Sequence, residues 1–177
     1  AMFQMIAHGI SSTGMFFMVG ILYDRVHHRD LNKFGGIAGL MPHYTGLAAG
    51  IFFAGLGLPG LCGFIGEIFS VLSCWSFDKT LAIVAASGVI LTAGYILWTI
   101  QRVYFGPAYK GPHPEALVPL LGREKFVAYV LLAFAIALGV FPNALFQYMD
   151  PSVKTLVENM DASVHPQVIE TAATLVQ

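Results

Sequence analysis

The chain has 177 residues, of which 56 % are hydrophobic and only 11 % are charged, and its net charge at pH 7 is −1. Because soluble domains carry about 25 % charged residues, this composition and a mean hydropathy of +0.71 exclude an ordinary soluble domain and predict an integral protein of the lipid bilayer. The small net charge gives no indication of a nucleic-acid partner.

The first predicted span runs from Met2 to Tyr23 and is long enough to cross about 30 Å of hydrocarbon. Its start is apolar and has no basic residues, so we expect no signal peptide and interpret the chain as a fragment that begins inside a helix. One face of this helix is polar, and helical spacing makes it a possible lining for water. The residues of this face are Gln4, His8, Ser11 and Ser12.

His8 has two interpretations that the sequence leaves open. An imidazole with a pKa near 6.5 is suited to relaying protons. Histidine also commonly forms hydrogen bonds between transmembrane helices, which would make it a packing residue.

The second predicted span, Tyr44 to Phe77, is too long for one straight crossing, since at about 1.5 Å per residue it would reach about 51 Å. Pro59, Gly60 and Gly63 lie near its centre, where proline and glycine allow a transmembrane helix to break. The pattern therefore predicts a discontinuous helix.

Glu67 is the only charged residue of this second span. A charge in hydrocarbon costs about 3 kcal/mol or more and usually marks an ion pathway. None of the predicted spans offers an internal lysine or arginine that could pair with Glu67. Burial disfavours the charged form of a carboxyl group, so we interpret Glu67 as a residue that exchanges a proton, on the outward side of the helix break.

The basic residues predict the orientation of the spans. Arg25, Arg29 and Lys33 precede the second span, and four more basic residues lie in or beside the loop that follows the third. The positive-inside rule places both loops in the cytoplasm, which requires an even number of crossings between them. The discontinuous second span therefore counts as one crossing.

The third and fourth spans are predicted at residues 81–105 and 126–146, separated by a proline-rich linker. Thr92, Tyr95 and Thr99 share one face of the third span, where they either line water or, as we favour, form hydrogen bonds that pack helices. Residues 1–150 are thus predicted to form an all-α, polytopic transmembrane bundle of four spans. Residues 151–177 are predicted to be a polar, loosely helical tail on the outer side.

The segment Asp24–Asp30 has charges of both signs and two histidines, which is typical of a solvated helix end. We expect no metal site there, because this spacing does not ensure a ligand geometry. The sequence also has no nucleotide-binding glycine motif and no cysteine or histidine spacing for zinc or an iron–sulfur cluster.

Five sequence motifs together resemble the antiporter-like M subunit of respiratory complex I, which is subunit 4 in mitochondria. The resemblance covers residues 1–106 and is weaker from Pro107 onward. The motifs, in order, are Phe3–Gly9, Leu22–Asp30, Gly35–Gly36, Gly57–Gly60 and Gly63–Glu67.

This resemblance implies that the spans are the last four of about fourteen in a proton-translocating subunit of NADH:quinone oxidoreductase. His8 then matches a histidine of the family's central hydrated axis, and Glu67 matches the acidic residue that ends the outward half-channel. The family's upstream glutamate–lysine pair and central lysine are absent, as expected for a fragment. NADH, FMN, the iron–sulfur clusters and quinone are then expected in partner subunits, and the expected partners of this chain are other membrane-arm subunits and the lipid bilayer. The implied location is the bacterial plasma membrane, or the mitochondrial inner membrane if the protein is organellar.

Two alternatives remain open from the sequence. One is a subunit of a multi-subunit cation/proton antiporter or of a membrane-bound hydrogenase. The other is a structural membrane segment, in which Glu67 and His8 only pack.

Overall fold

The computed structural model describes residues 2–164, and all the regular structure in that part of the chain is helical. The helices are α1 (Met2–Val26), α2 (Ile37–Leu40), α3 (Pro42–Leu56), α4 (Cys62–Phe77), α5 (Lys79–Tyr104), α6 (Gly122–Val140) and α7 (Asn143–Val164). A single 3₁₀ turn, Pro114–Ala116, interrupts the proline-rich linker. The predicted all-α class is confirmed.

The second predicted span is discontinuous, as expected. Helix α3 ends at Leu56 because Gly57 adopts a left-handed conformation with φ of 78°, which glycine tolerates without a steric cost. The amide of Leu58 then donates to the carbonyl of Phe53 at 3.1 Å, and a second left-handed glycine, Gly60, turns the chain. Helix α4 begins at Cys62, so Gly63 lies in its first turn and not in the break itself.

The described residues divide into two compact units, one up to Pro142 and the other from Asn143 onward. In the first unit, α1 packs against α3, α4 and α6, and α5 packs against α3 and α4. The second unit contains α7, whose helix continues through Pro151. The predicted tail from residue 151 is therefore helical up to Val164, and its remainder lies outside the described residues. The division into a domain of residues 1–150 and a tail stays a prediction.

The fourth predicted span differs from the structure at both ends. Helix α6 begins at Gly122, four residues before the predicted start, and ends at Val140 and not at Phe146. Pro142 explains the early end, because a proline disfavours helical geometry in the residue that precedes it, here Phe141.

The helices differ in whether their length and composition allow them to cross a membrane. By length and composition, Met2–Val26 and Lys79–Tyr104 can each cross a membrane, and Gly122–Val140 taken with Asn143–Met160 would add a third span. Helices α3 and α4 have 15 and 16 residues and reach only about 23 Å each, less than the bilayer core. The prediction of four crossings therefore depends on α3 and α4 forming one crossing together.

The two basic loops lie together at one end of the first unit. The amide of Lys110 donates to the carbonyl of Lys33 at 3.0 Å, and the guanidinium of Arg102 donates to the amide oxygen of Asn32. This common end, which we call the loop end, fits an even number of crossings between the loops. Its assignment to the cytoplasm stays a prediction.

Candidate functional site

A cavity of about 280 Å³ lies between α1, α3, α4 and α5, and we call it the central cavity. It brings together polar side chains from three of these helices that are far apart in the sequence. Its polar lining consists of Gln4, His8, Ser11, Glu67, Tyr95 and Thr99.

Helix α1 supplies one wall of the central cavity along much of its length. Gln4, His8, Ser11 and Met15 all line it, and their spacing extends over about 16 Å of helix axis. The predicted polar face of the first span is therefore the face turned toward the cavity.

Two residues predicted to line water lie outside the lining of the central cavity. Ser12 is placed one turn after His8, and its hydroxyl oxygen lies 3.2 Å from each ring nitrogen. Thr92 donates its hydroxyl to the carbonyl of Gly88 at 3.0 Å within its own helix. Ser12 is thus positioned to orient the imidazole of His8, whereas Thr92 satisfies its polar group locally.

Glu67 lies at the junction of the helix break and the central cavity. Its carboxylate packs against Gly57, where an added methyl group would lie within 2.9 Å of the carboxyl carbon. Glu67 also lines a second, apolar cavity of about 310 Å³ between α4 and α5. Its side chain therefore separates a polar cavity from an apolar one.

Glu67 has no ionic partner among the described residues. The ion pairs in that part of the chain join Arg25 to Glu124 and His113 to Glu115. A half-buried carboxylate that lacks a fixed cation is free to change its protonation state. This placement agrees with the expected proton-exchanging group, although its role in transport stays a prediction.

Gln4 packs tightly against Gly66, the residue before Glu67, and lines the central cavity together with Glu67. A methyl group added to Gly66 would lie 2.8 Å from the amide carbon of Gln4, so only glycine lets α1 and α4 approach this closely. The side-chain oxygen of Gln4 is buried and has no hydrogen-bond partner among the described residues. Such a group is costly to leave unpaired, and it is the kind of group that a water molecule satisfies.

Gly139 of α6 holds the helix break in place, and the sequence analysis missed it. A methyl group added to Gly139 would lie 2.5 Å from the Cα and carbonyl carbon of Leu61 and would overlap the carbonyl oxygen of Gly60. These are backbone atoms, which cannot move aside as a side chain can. The only signal in the sequence was a glycine inside an otherwise apolar helix.

We expect Gly139→Ala to destabilise the first unit by about 1–3 kcal/mol, because it overpacks the break. Thermal unfolding of the full-length protein in detergent measures the change. The matched control is Gly94→Ala on α5, where an added methyl group meets no atom within 4 Å and helix propensity favours alanine by up to about 1 kcal/mol. Equal behaviour of the two variants would contradict the packing role of Gly139.

A second polar cluster lies at the loop end and joins α1 to α6. The guanidinium of Arg25 donates to Glu124 at 2.8 Å and 3.3 Å, and the two side chains are only 9 % and 17 % exposed. Glu124 also accepts the backbone amide of Leu121 at 2.8 Å. This forked, partly buried pair is a structural tie between the helix ends.

His28 joins the two loops at the same end. Its Nε2 lies 2.8 Å from the hydroxyl of Tyr109, which itself donates to the carbonyl of Pro112 at 2.7 Å. Because the tyrosine proton is used in that bond, Nε2 of His28 must be the donor to Tyr109. Partial burial, and then the charge of Lys33, lower the pKa of His28, against a smaller opposing effect of Asp30. The lowered pKa favours the neutral form of His28 in this contact between the loops.

Comparisons with known proteins match the sequence of this chain to a family of membrane proteins. Residues 1–92 match the family model described as "NADH:quinone oxidoreductase/Mrp antiporter, TM". The chain is 38 % identical over 164 residues to NADH-quinone oxidoreductase subunit M of Rhodobacter capsulatus, covering 93 % of this chain and 32 % of the relative. It is 34 % identical over 155 residues to NADH-ubiquinone oxidoreductase chain 4 of Arabidopsis thaliana, covering 88 % and 31 %.

The fold is also similar to a solved structure. A chain of respiratory complex I from Thermus thermophilus with bound NADH superposes with a TM-score of 0.75 at 30 % identity, covering 82 % of this chain and 30 % of that chain. The present chain therefore spans about a third of the length of the relatives it matches.

Proposed function

The chain belongs to the NADH:quinone oxidoreductase/Mrp antiporter transmembrane family, and on this premise we propose that it is part of a proton-translocating membrane subunit of an NADH:quinone oxidoreductase. The resemblance seen in the sequence motifs is thereby confirmed, and the protein is a membrane protein. The named relatives are subunits of NADH-quinone and NADH-ubiquinone oxidoreductases. In the proposed function, this chain uses the energy of electron transfer in other subunits to move protons.

The observation that carries the proposal is the position of Glu67. It is half-buried, it has no ionic partner among the described residues, and it shares the central cavity with His8 and with polar groups of α1 and α5. A carboxyl group and an imidazole in one polar cavity form a pair of proton-exchanging groups joined by space for water.

The polar face of α1 gives the proposed direction of transfer. A proton on His8 passes through water in the central cavity to Glu67, with Gln4 and Ser11 as hydrogen-bond partners for that water. Glu67 then releases the proton toward the end of the unit opposite the loop end. A change of charge in a neighbouring subunit shifts the protonation of these groups, because charges interact strongly where water is scarce.

We further propose that the partners are other membrane-arm subunits and the surrounding lipid, and that this chain has no redox site. NADH, FMN, iron–sulfur clusters and quinone then bind to partner subunits. Such a complex would lie in the bacterial plasma membrane, or in the mitochondrial inner membrane if the protein is organellar.

The test fills the central cavity without touching its titratable groups. Gly55 lines the cavity, and a methyl group added there would lie 2.8 Å from the end of Met15, which also lines it. Gly55→Leu therefore places side-chain atoms in the water space. In sealed vesicles containing the complex with the full-length subunit, we expect NADH-driven acidification to fall by at least about half as the hydrated path closes.

The matched control is Gly46→Leu on the same helix, where an added Cβ meets no atom within 4 Å. Acidification should stay at the wild-type rate in this control. If Gly55→Leu also leaves acidification unchanged in a fully assembled complex, the central cavity does not carry protons and the proposed function is wrong.

A further inference from the structure

Another cavity, separate from the apolar one between α4 and α5, lies next to the central cavity toward the loop end. We call it the loop-side cavity; its volume is about 130 Å³. Residues of α1, α5 and the first loop line it, including Leu22, His28, Phe34, Val103 and Tyr104. It thus lies between the polar loop end and the proposed proton path.

The loop-side cavity is lined mainly by apolar side chains, and its polar ones already contact other groups. Arg29 and Tyr23 lie at its exposed side, where the guanidinium stacks over the tyrosine ring at 4.6 Å. The hydroxyl of Thr99 donates to the carbonyl of Tyr95 at 2.7 Å, and the hydroxyl of Tyr104 lies 3.4 Å from that of Tyr44. Nε2 of His28 is used in its bond to Tyr109. A water molecule needs two to four polar partners to occupy a buried site, so the part of the cavity lined by Leu22, Phe34 and Val103 beside Phe52 disfavours water.

Phe52 stands in the wall between the two cavities. Its side chain lines both of them, and only Thr99 does the same. The residue is 9 % exposed, and its ring meets the ring of Tyr104 edge to face with 6.3 Å between centroids. Phe52 and Thr99 therefore form the wall between the cavities, and the ring of Phe52 is its apolar part.

The size of the loop-side cavity matches the ring that borders it. Apolar cavities of about 150 Å³ in protein interiors accept a benzene molecule. The 130 Å³ beside Phe52 thus has room for a phenyl ring that rotates out of the wall. Rotation of the ring out of the wall would then join the central cavity to the loop end.

We propose that Phe52 is a gate between the central cavity and the loop end. In the position seen here, its ring and the apolar part of the cavity beside it block water, as hydrophobic constrictions do in channels. Rotation of the ring into the loop-side cavity opens a path for proton uptake. The proposal rests on the proposed function, since the gate would control the uptake of protons into the central cavity.

The test measures passive proton leak without NADH, in vesicles that contain the complex with the full-length subunit. An imposed potassium diffusion potential drives protons, and a pH-sensitive dye reports their entry. Phe52→Ala should raise the leak about tenfold or more, because the constriction then stays wetted. The matched control is Phe53→Ala, which removes the same side chain from the next position of α3, outside the lining of both cavities.

A second variant keeps Phe52 and removes the space for its rotation. Val103→Phe fills the loop-side cavity, so NADH-driven acidification should fall while the passive leak stays at the wild-type level. Wild-type leak in an assembled Phe52→Ala complex would overturn the gate, as would wild-type acidification with Val103→Phe. A failed Gly55→Leu test with a leaking Phe52→Ala complex would instead reject the proposed function and keep Phe52 as a barrier.

Discussion

Replacing Glu67 by glutamine is expected to slow proton transfer through this subunit by about 10²-fold, the lower range for loss of a positioned proton-transfer group. Glutamine has nearly the same size and shape, so it can pack against Gly57 as the carboxylate does. It cannot release a proton. The change therefore removes the chemistry and leaves the packing, and NADH-driven acidification of sealed vesicles measures the result.

Two controls separate proton exchange from structure. Glu67→Asp keeps a carboxyl group at the junction of the helix break and the cavity, so it should retain more transport than the glutamine variant. Glu115→Gln removes a carboxylate from the exposed linker and should have no effect. Normal assembly with unchanged pumping by Glu67→Gln would favour the alternative in which Glu67 only packs.

The helix break could be predicted from the sequence because its cause is local. Gly57 and Gly60 adopt left-handed conformations, and Pro59 between them cannot donate a backbone hydrogen bond. These properties belong to the residues themselves. The end of α6 also has a local cause, the pair Phe141–Pro142. The predicted span nevertheless extended to Phe146, because the prediction was based on the apolar run, which continues beyond the proline.

The candidate site could be predicted only one helix at a time. Helical spacing identified the face of α1 with Gln4, His8 and Ser11, and the face of α5 with Tyr95 and Thr99. Spacing on one helix does not say which other helix that face meets. Spacing alone therefore did not indicate that these faces and Glu67 enclose a common cavity, and only the family resemblance related His8 to Glu67 along one hydrated path.

The roles of residues that act through tertiary packing could not be predicted from the sequence. Gly139 is required by the backbone of a break far away in the sequence, and Phe52 matters because of the empty space beside it. In the sequence, one is a glycine in an apolar helix and the other is one phenylalanine of 14. Only the close approach of helices gives them their roles.

The tie between Arg25 and Glu124 should have the largest effect on stability. Glu124→Ala leaves the guanidinium of Arg25 partly buried without its carboxylate, and Nε of Arg25 already has no partner among the described residues. Breaking a buried ion pair from one side typically costs about 3–5 kcal/mol. We expect a loss of that size in the free energy of unfolding, measured by denaturant titration of the full-length protein in detergent.

The control for this prediction removes both charges at once. Arg25→Met combined with Glu124→Leu leaves no unpaired charge and fills the same space with apolar atoms, a replacement that is often neutral. The double variant should therefore be more stable than Glu124→Ala alone, although it lacks the ion pair altogether. If the double variant is as unstable as the single one, the helix ends depend on the ionic bond itself, and the cost does not come from an orphaned arginine. If Glu124→Ala is as stable as the natural protein, Arg25 finds another partner or reaches water, and the tie between α1 and α6 is not needed to hold the loop end together.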